Sequence, residues 1–348
     1  MAVMLLFSCK KDEKQKATPK QFNHVEIETV FKDSTASIRA LEIMNADGFV
    51  FATSTGKVGL GLTNEDGVLV NYASEQHYDS IIPNFRSVAF NGKSVFALSI
   101  ASPALLYKDG DLVYTEKHPK AFYDCMQFWN EMEGIAIGDP TNDCLSVIIT
   151  RDAGETWQKI PCTQLPEIKD GEAAFAASNT NIAIVEDNVW IATGGKHSSI
   201  LYSDDKGHTW QVFETPIIQG LETTGMYALT FYDDKNGFAI GGDYTKPDDN
   251  AANKIKTTDG GKTWNVVGKN QLPGYRSCVQ YVPNANANSL VAVGFKGIDV
   301  TNDAGKTWQH LSDEGLYTLR FVNDSVAYAA GKGRIGKLSF TAEMIPKG

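Results

Sequence analysis

Three of the six arginines in this 348-residue chain stand at one place in a recurring phrase: Ile38-Arg-Ala-Leu41, Phe85-Arg-Ser-Val88 and Tyr275-Arg-Ser-Cys278. A guanidinium is costly to bury unpaired. Arg39, Arg86 and Arg276 therefore either clamp neighbouring carbonyls and carboxylates, or face a wet mouth where they can grip a ligand carboxylate bidentately. Four further copies of the phrase put Asp124, Ala173, Tyr227 and Tyr317 at the same rank, with Glu172 one residue ahead of it. Turns that follow a second repeated phrase add Asp139, His197, Asp243, Tyr244 and Lys246. The ligand-binding set read from the sequence is thus Arg39, Arg86, Arg276, Asp139, His197, Asp243, Tyr244, Lys246 and Tyr317. Glycoside hydrolysis would need two carboxyls flanking one sugar ring, and Asp124, Glu172 and Tyr227 are the candidate catalytic groups. His197, inside Gly194-Gly-Lys-His-Ser-Ser199, reads more as a solvated loop histidine than as a catalyst.

The elements that would position these groups are short strands. In all seven copies a small residue precedes a larger apolar one, which suits the innermost strand of a propeller blade. The remaining copies are Tyr123-Asp-Cys-Met126, Glu172-Ala-Ala-Phe175, Met226-Tyr-Ala-Leu229 and Leu316-Tyr-Thr-Leu319. Strands such as Gly134-Ile-Ala-Ile-Gly138 and Gly237-Phe-Ala-Ile-Gly241 follow, ending in small-residue turns.

A third phrase, Ser/Thr-x-Asp-x-Gly-x-Thr-Trp, occurs four times, with aspartates at 152, 205, 259 and 303 and tryptophans at 157, 210, 264 and 308. Its chemistry fits a hairpin: the carboxylate accepts backbone N–H groups, glycine takes positive φ, and tryptophan buries beneath the turn. Asp152, Trp157, Asp205, Trp210, Asp259, Trp264, Asp303 and Trp308 are read as structural. Lys108-Asp109-Gly110 and Glu65-Asp66-Gly67 look like shortened versions without the tryptophan. The expected architecture is all-β, a seven-bladed propeller over 22–348 as a single domain. The last blade lacks a C-terminal fourth strand, and the alternating stretch 25–31 is expected to complete it and close the ring.

The net charge of −10 and the pI near 5.1 argue against nucleic acid as a partner. The first nine residues end in Leu6-Phe7-Ser8-Cys9, which resembles a bacterial lipobox, so Cys9 is the expected lipidation site. Residues 10–21 would then be a charged tether, and the only membrane contact a lipid anchor. Lys10-Lys-Asp-Glu13 is similar to the surface-export signal of Bacteroidetes lipoproteins, placing the chain in the cell envelope, expected as a monomer. Cys144 and Cys162 flank one hairpin; they are read either as a disulfide or as two buried small residues. No Cys/His spacing suggests a metal, and no cofactor is expected.

The tryptophan-bearing phrase is that of Asp-box, or BNR, repeats. An arginine trio beside tyrosine and acids resembles the sialidase superfamily, but Ser37-Ile-Arg39-Ala-Leu41 lacks that superfamily's Arg-Ile-Pro motif. Over about 37–340, Gly171-Glu-Ala-Ala-Phe-Ala-Ala-Ser178, Gly241-Gly-Asp-Tyr244 and Gly274-Tyr-Arg-Ser277 resemble a bacterial propeller family. That family is related to photosystem II stability/assembly factors and often carries an oxidoreductase label. The resemblance implies protein binding through an arginine-bearing face. The expected function is a non-enzymatic envelope propeller binding a protein or acidic glycan. A sialidase-like glycoside hydrolase is second and an oxidoreductase third.

Overall fold

The computed structural model describes residues 21–64 and 69–342. Among them five sheets of four antiparallel strands span 85–116, 123–159, 182–214, 226–266 and 278–312, with sequence neighbours adjacent in each sheet. Apolar residues on both sheet faces explain the stacking: Phe96, Leu98 and Leu106 of one sheet pack on Tyr123, Met126, Ala136 and Ile148 of the next. Both faces are covered, so strands such as Gly134–Gly138 and Ser146–Thr150 are buried at every position. Among the described residues no helix is long and apolar enough to cross a membrane.

The expected count of seven sheets is corrected. Six sheets of four or more strands form, and the sixth has six strands. The physical reason lies at its two long strands. Residues 25–31 are not a separate closing strand; they are the front of one strand, His24–Asn45, and the last strand runs uninterrupted over Val326–Thr341. These two pair antiparallel from His24↔Thr341 to Ser37↔Lys332, with register shifts after Thr29 and after Lys32. The remainder of His24–Asn45 pairs with Gly48–Thr53, so one hydrogen-bonded sheet joins both ends of the described chain.

A second correction concerns the copy Glu172-Ala-Ala-Phe175. Only Glu172–Ala173 is a strand, paired with Gly194–Gly195 in a two-stranded sheet of its own. The first strand of the neighbouring four-stranded sheet is instead Ile182–Val185. Residues 174–181 between them are not strand, and all but the partly buried Phe175 are buried.

The four tryptophan-bearing hairpins share one bonding pattern. In the second, Asp205 Oδ1 accepts from Ser203 Oγ and Thr209 N at 2.7 and 2.8 Å, and Oδ2 accepts from Thr209 Oγ1 at 2.7 Å. Ser203 Oγ in turn accepts from Gly207 N at 2.7 Å. The same contacts recur at Asp152, Asp259 and Asp303. Burial acts to raise the Asp205 carboxyl, but the hydrogen bonds outweigh it and hold the group down to about 2. The shortened turn at Glu65-Asp66-Gly67 falls outside the described residues. Cys144 and Cys162 form a disulfide, resolving the alternatives left by the sequence.

Candidate ligand-binding face

The segment 174–181 runs between the inner strands and gives the face its floor. Ser178, Asn179, Thr180 and Asn181 are buried polar residues, and strands from four sheets supply hydrogen bonds to the segment or accept them from it. Ser87 Oγ and Met126 N donate to Asn179 Oδ1, and Asn179 Nδ2 donates to Val88 O. Ser178 Oγ donates to Ser277 O, Thr318 Oγ1 to Ser178 O, and Arg320 Nη2 to Asn179 O. A buried backbone demands such partners, and the inner strands converge here to provide them.

Two of the three aligned arginines reach this floor. Arg39 Nη1 donates to Ala177 O at 2.9 Å, and Arg86 Nη1 to Ala176 O at 3.0 Å. Arg39 also lies over the Tyr317 ring, 3.9 Å from its centroid. Among the described residues neither guanidinium has a carboxylate in ion-pair contact, and Arg39 Nε is buried without a hydrogen-bond partner. Burial, then the charge of Arg39, pushes Arg86 down to about 10. Burial also lowers Arg39. Both remain cations at neutral pH.

Above the floor lies a cavity of about 680 Å³ that both arginines line. Aromatic rings line it too: Phe175 stacks on Tyr227 with centroids 4.0 Å apart, and Tyr275 meets Tyr227 edge-on at 4.8 Å. Tyr244 and Phe295 complete the rim, 48% and 43% exposed. Asp139 also lines it, accepting from Ala174 N at 3.0 Å; burial, partly offset by that bond, raises its carboxyl to about 6.

Several expected members are placed elsewhere. Arg276 is not a free cation. It is buried, and its Nε and Nη2 both lie 2.6 Å from Asp299 Oδ2, while Nη1 donates to Tyr275 O. Of the two chemistries open to the arginines, Arg276 takes the clamp, because Asp299 on the strand Gly297–Thr301 meets it. Asp243 is buried too; burial acts to raise it, but hydrogen bonds from Thr245 outweigh this and hold it below the usual carboxylate range. His197 and the exposed Lys246 are not among the cavity-lining residues.

The candidate catalytic groups do not converge. Glu172 and Tyr227 line the cavity, but Asp124 does not. Glu172 accepts from Lys169 N, Thr193 Oγ1 and Ser199 Oγ, which pins its short strand. The Tyr227 hydroxyl donates to Thr223 O at 3.0 Å, and burial pushes it far up. Asp124 is fully buried, both oxygens lack a hydrogen-bond partner, and burial with the nearby Asp139 raises it strongly. A neutral acid below the floor is what this burial favours. Cys9 lies outside the described residues. Phe175, Tyr275, Phe295 and Glu222 line the cavity without having been singled out. A signal was present for Tyr275, which opens one of the arginine phrases, and for Phe175, which closes another copy.

No protein-family profile matches the chain, and no curated protein matches it. Solved structures do. A structure of YCF48 bound to a D1 peptide is 13% identical with a TM-score of 0.64, covering 94% of this chain and 100% of that one. YCF48 from Cyanidioschyzon merolae is 12% identical with a TM-score of 0.65, covering 90% and 98%. The WD40 repeats of RRP9 are 11% identical with a TM-score of 0.60, covering 93% and 99%. At these identities the likeness is one of fold, a β-propeller, and propellers host unrelated functions.

Proposed function

We propose that this propeller is a non-enzymatic binding protein whose arginine face takes an acidic segment of a protein partner, an acidic glycan being the other ligand class. One observation carries the reading. Arg39 and Arg86 present cationic edges to a roomy, aromatic-walled cavity, are fixed by the carbonyls of Ala177 and Ala176, and among the described residues neither is in ion-pair contact with a carboxylate. A ligand carboxylate would supply the missing partner to groups already held in place, which reduces the entropy lost on binding. That a similar propeller, YCF48, was solved with a peptide bound supports a peptide over a sugar.

The same reading places the protein in the cell envelope, tethered through lipid on Cys9 and residues 10–21. Metabolic labelling with a palmitate analogue should mark the wild type and not Cys9→Ala. For the partner, crosslinked capture from the envelope is compared between wild type and Arg39→Ala/Arg86→Ala. A protein captured by the first and lost by the second supports the reading. Equal capture by both places the binding surface elsewhere.

A further inference from the structure

A second cavity lies between two sheets, away from the arginines, and the molecule's own repeats indicate what fits it. In four sheets the hairpin tryptophan directly precedes the first paired residue of the outer strand. Gln158, Gln211, Asn265 and Gln309 pair with Ile149, Tyr202, Lys256 and Val300. The indole then fills the seam toward the preceding sheet. Trp157 lies 6.2 Å from Phe96 of that sheet and 5.8 Å from Phe128 of its own.

The sheet over 85–116 breaks the pattern. Its hairpin is cut to the two-residue turn Asp109-Gly110, both with positive φ at 50° and 98°, so that Asp111 pairs with Lys108 at once. Gly110 therefore occupies the register place that tryptophan holds in the other four. Beside it is a cavity of about 370 Å³ toward the preceding sheet, walled by Val58, Leu60, Tyr72, Ala97 and Tyr107. A Cβ built on Gly110 would meet nothing closer than Gln76 Nε2 at 3.9 Å, so the side-chain volume is open. The size falls within the range of small-ligand sites, roughly 300–1,000 Å³.

Charge selects among aromatic occupants. Among the described residues Asp109 is the one acidic side chain lining the cavity, and no Lys, Arg or His lines it. Its Oδ1 accepts from Val95 N at 2.8 Å, while among the described residues it forms no ion pair. We propose that this seam binds a free arylalkylamine, with an indole-sized ring between the two sheets and its ammonium at Asp109. The ring would replace the missing tryptophan, and the ammonium would give Asp109 a counter-ion.

The test uses the whole chain and saturation-transfer NMR with tryptamine, with indole-3-propionate as the anionic counterpart. Saturable tryptamine binding is expected, abolished by Ser74→Trp, which lines the cavity on the same sheet face as its partner Val58 and leaves the melting temperature equal or higher. Asp109→Asn keeps the Oδ1 acceptor and should weaken tryptamine about threefold, as loss of one exposed ion pair does. No saturable binding by the wild type, or undiminished binding by a folded Ser74→Trp variant, overturns the site. Equal affinity for indole-3-propionate overturns the cationic ligand class.

Discussion

Arg39, Arg86 and Arg276 look equivalent in sequence because each follows the opening residue of the same phrase, but a partner outside that phrase separates them. Asp299 converts Arg276 into a buried ion pair, and nothing near Arg276 in sequence announces a carboxylate 23 positions on. Breaking a buried pair leaves a charge uncompensated, so Arg276→Ala should lose about 3–5 kcal/mol of unfolding free energy in denaturant titrations. Arg39→Ala and Arg86→Ala, whose partners are carbonyls, should cost about 1 kcal/mol each. Equal losses at all three positions would mean that the distinction is wrong. Asp139 sets a pH dependence. Above about 6 it is an anion in the cavity and opposes an anionic ligand; below that it is neutral. Affinity for an acidic ligand should therefore rise as pH falls through about 6, and Asp139→Asn should remove that rise. The sign for folding agrees. A carboxyl raised in the native state contributes stability that is fully present below its ordinary pKa and is lost as pH rises through about 6.

At the scale of elements, the tryptophan-bearing hairpins were fully legible, because Asp, Gly, Thr and Trp each have a local task that the hydrogen bonds display. Trp264, 6% exposed, lies edge-on to Phe231 and donates to Gly261 O at 2.9 Å. Trp264→Ala should destabilise by about 3–5 kcal/mol, as truncated core aromatics do; thermal unfolding with a change under about half a kcal/mol would contradict the packing account. The phrase Glu172-Ala-Ala-Phe175 reads as an inner strand, yet only Glu172–Ala173 is strand and the chain beyond it is not. Small residues suit a crowded inner strand, and they suit a chain threaded between inner strands equally well. Only the contacts of Asn179 with Ser87, Val88, Met126 and Arg320 decide between the two.

On the scale of the whole molecule, an all-β ring built from repeats was readable from periodicity alone, and the number of sheets was not. Repeat counting treats every copy as a separate sheet, whereas the backbone of His24–Asn45 and Val326–Thr341 runs on as strand across the expected boundaries, interrupted only by register shifts. The face also stands against the molecule's overall charge. A chain of net charge −10 carries two cations at one cavity that, among the described residues, have no acid in ion-pair contact, so an anionic ligand must be held by local contacts rather than by the global field. The most direct measurement is a titration of purified protein with a fluorescent acidic peptide at neutral pH, at low and high salt. Wild type should bind saturably and more weakly in high salt. Arg39→Ala/Arg86→Ala, folded by circular dichroism, should lose at least about tenfold in affinity, the ~1.4 kcal/mol minimum expected of charge-assisted bonds. Unchanged affinity in that double variant would contradict the account of this face.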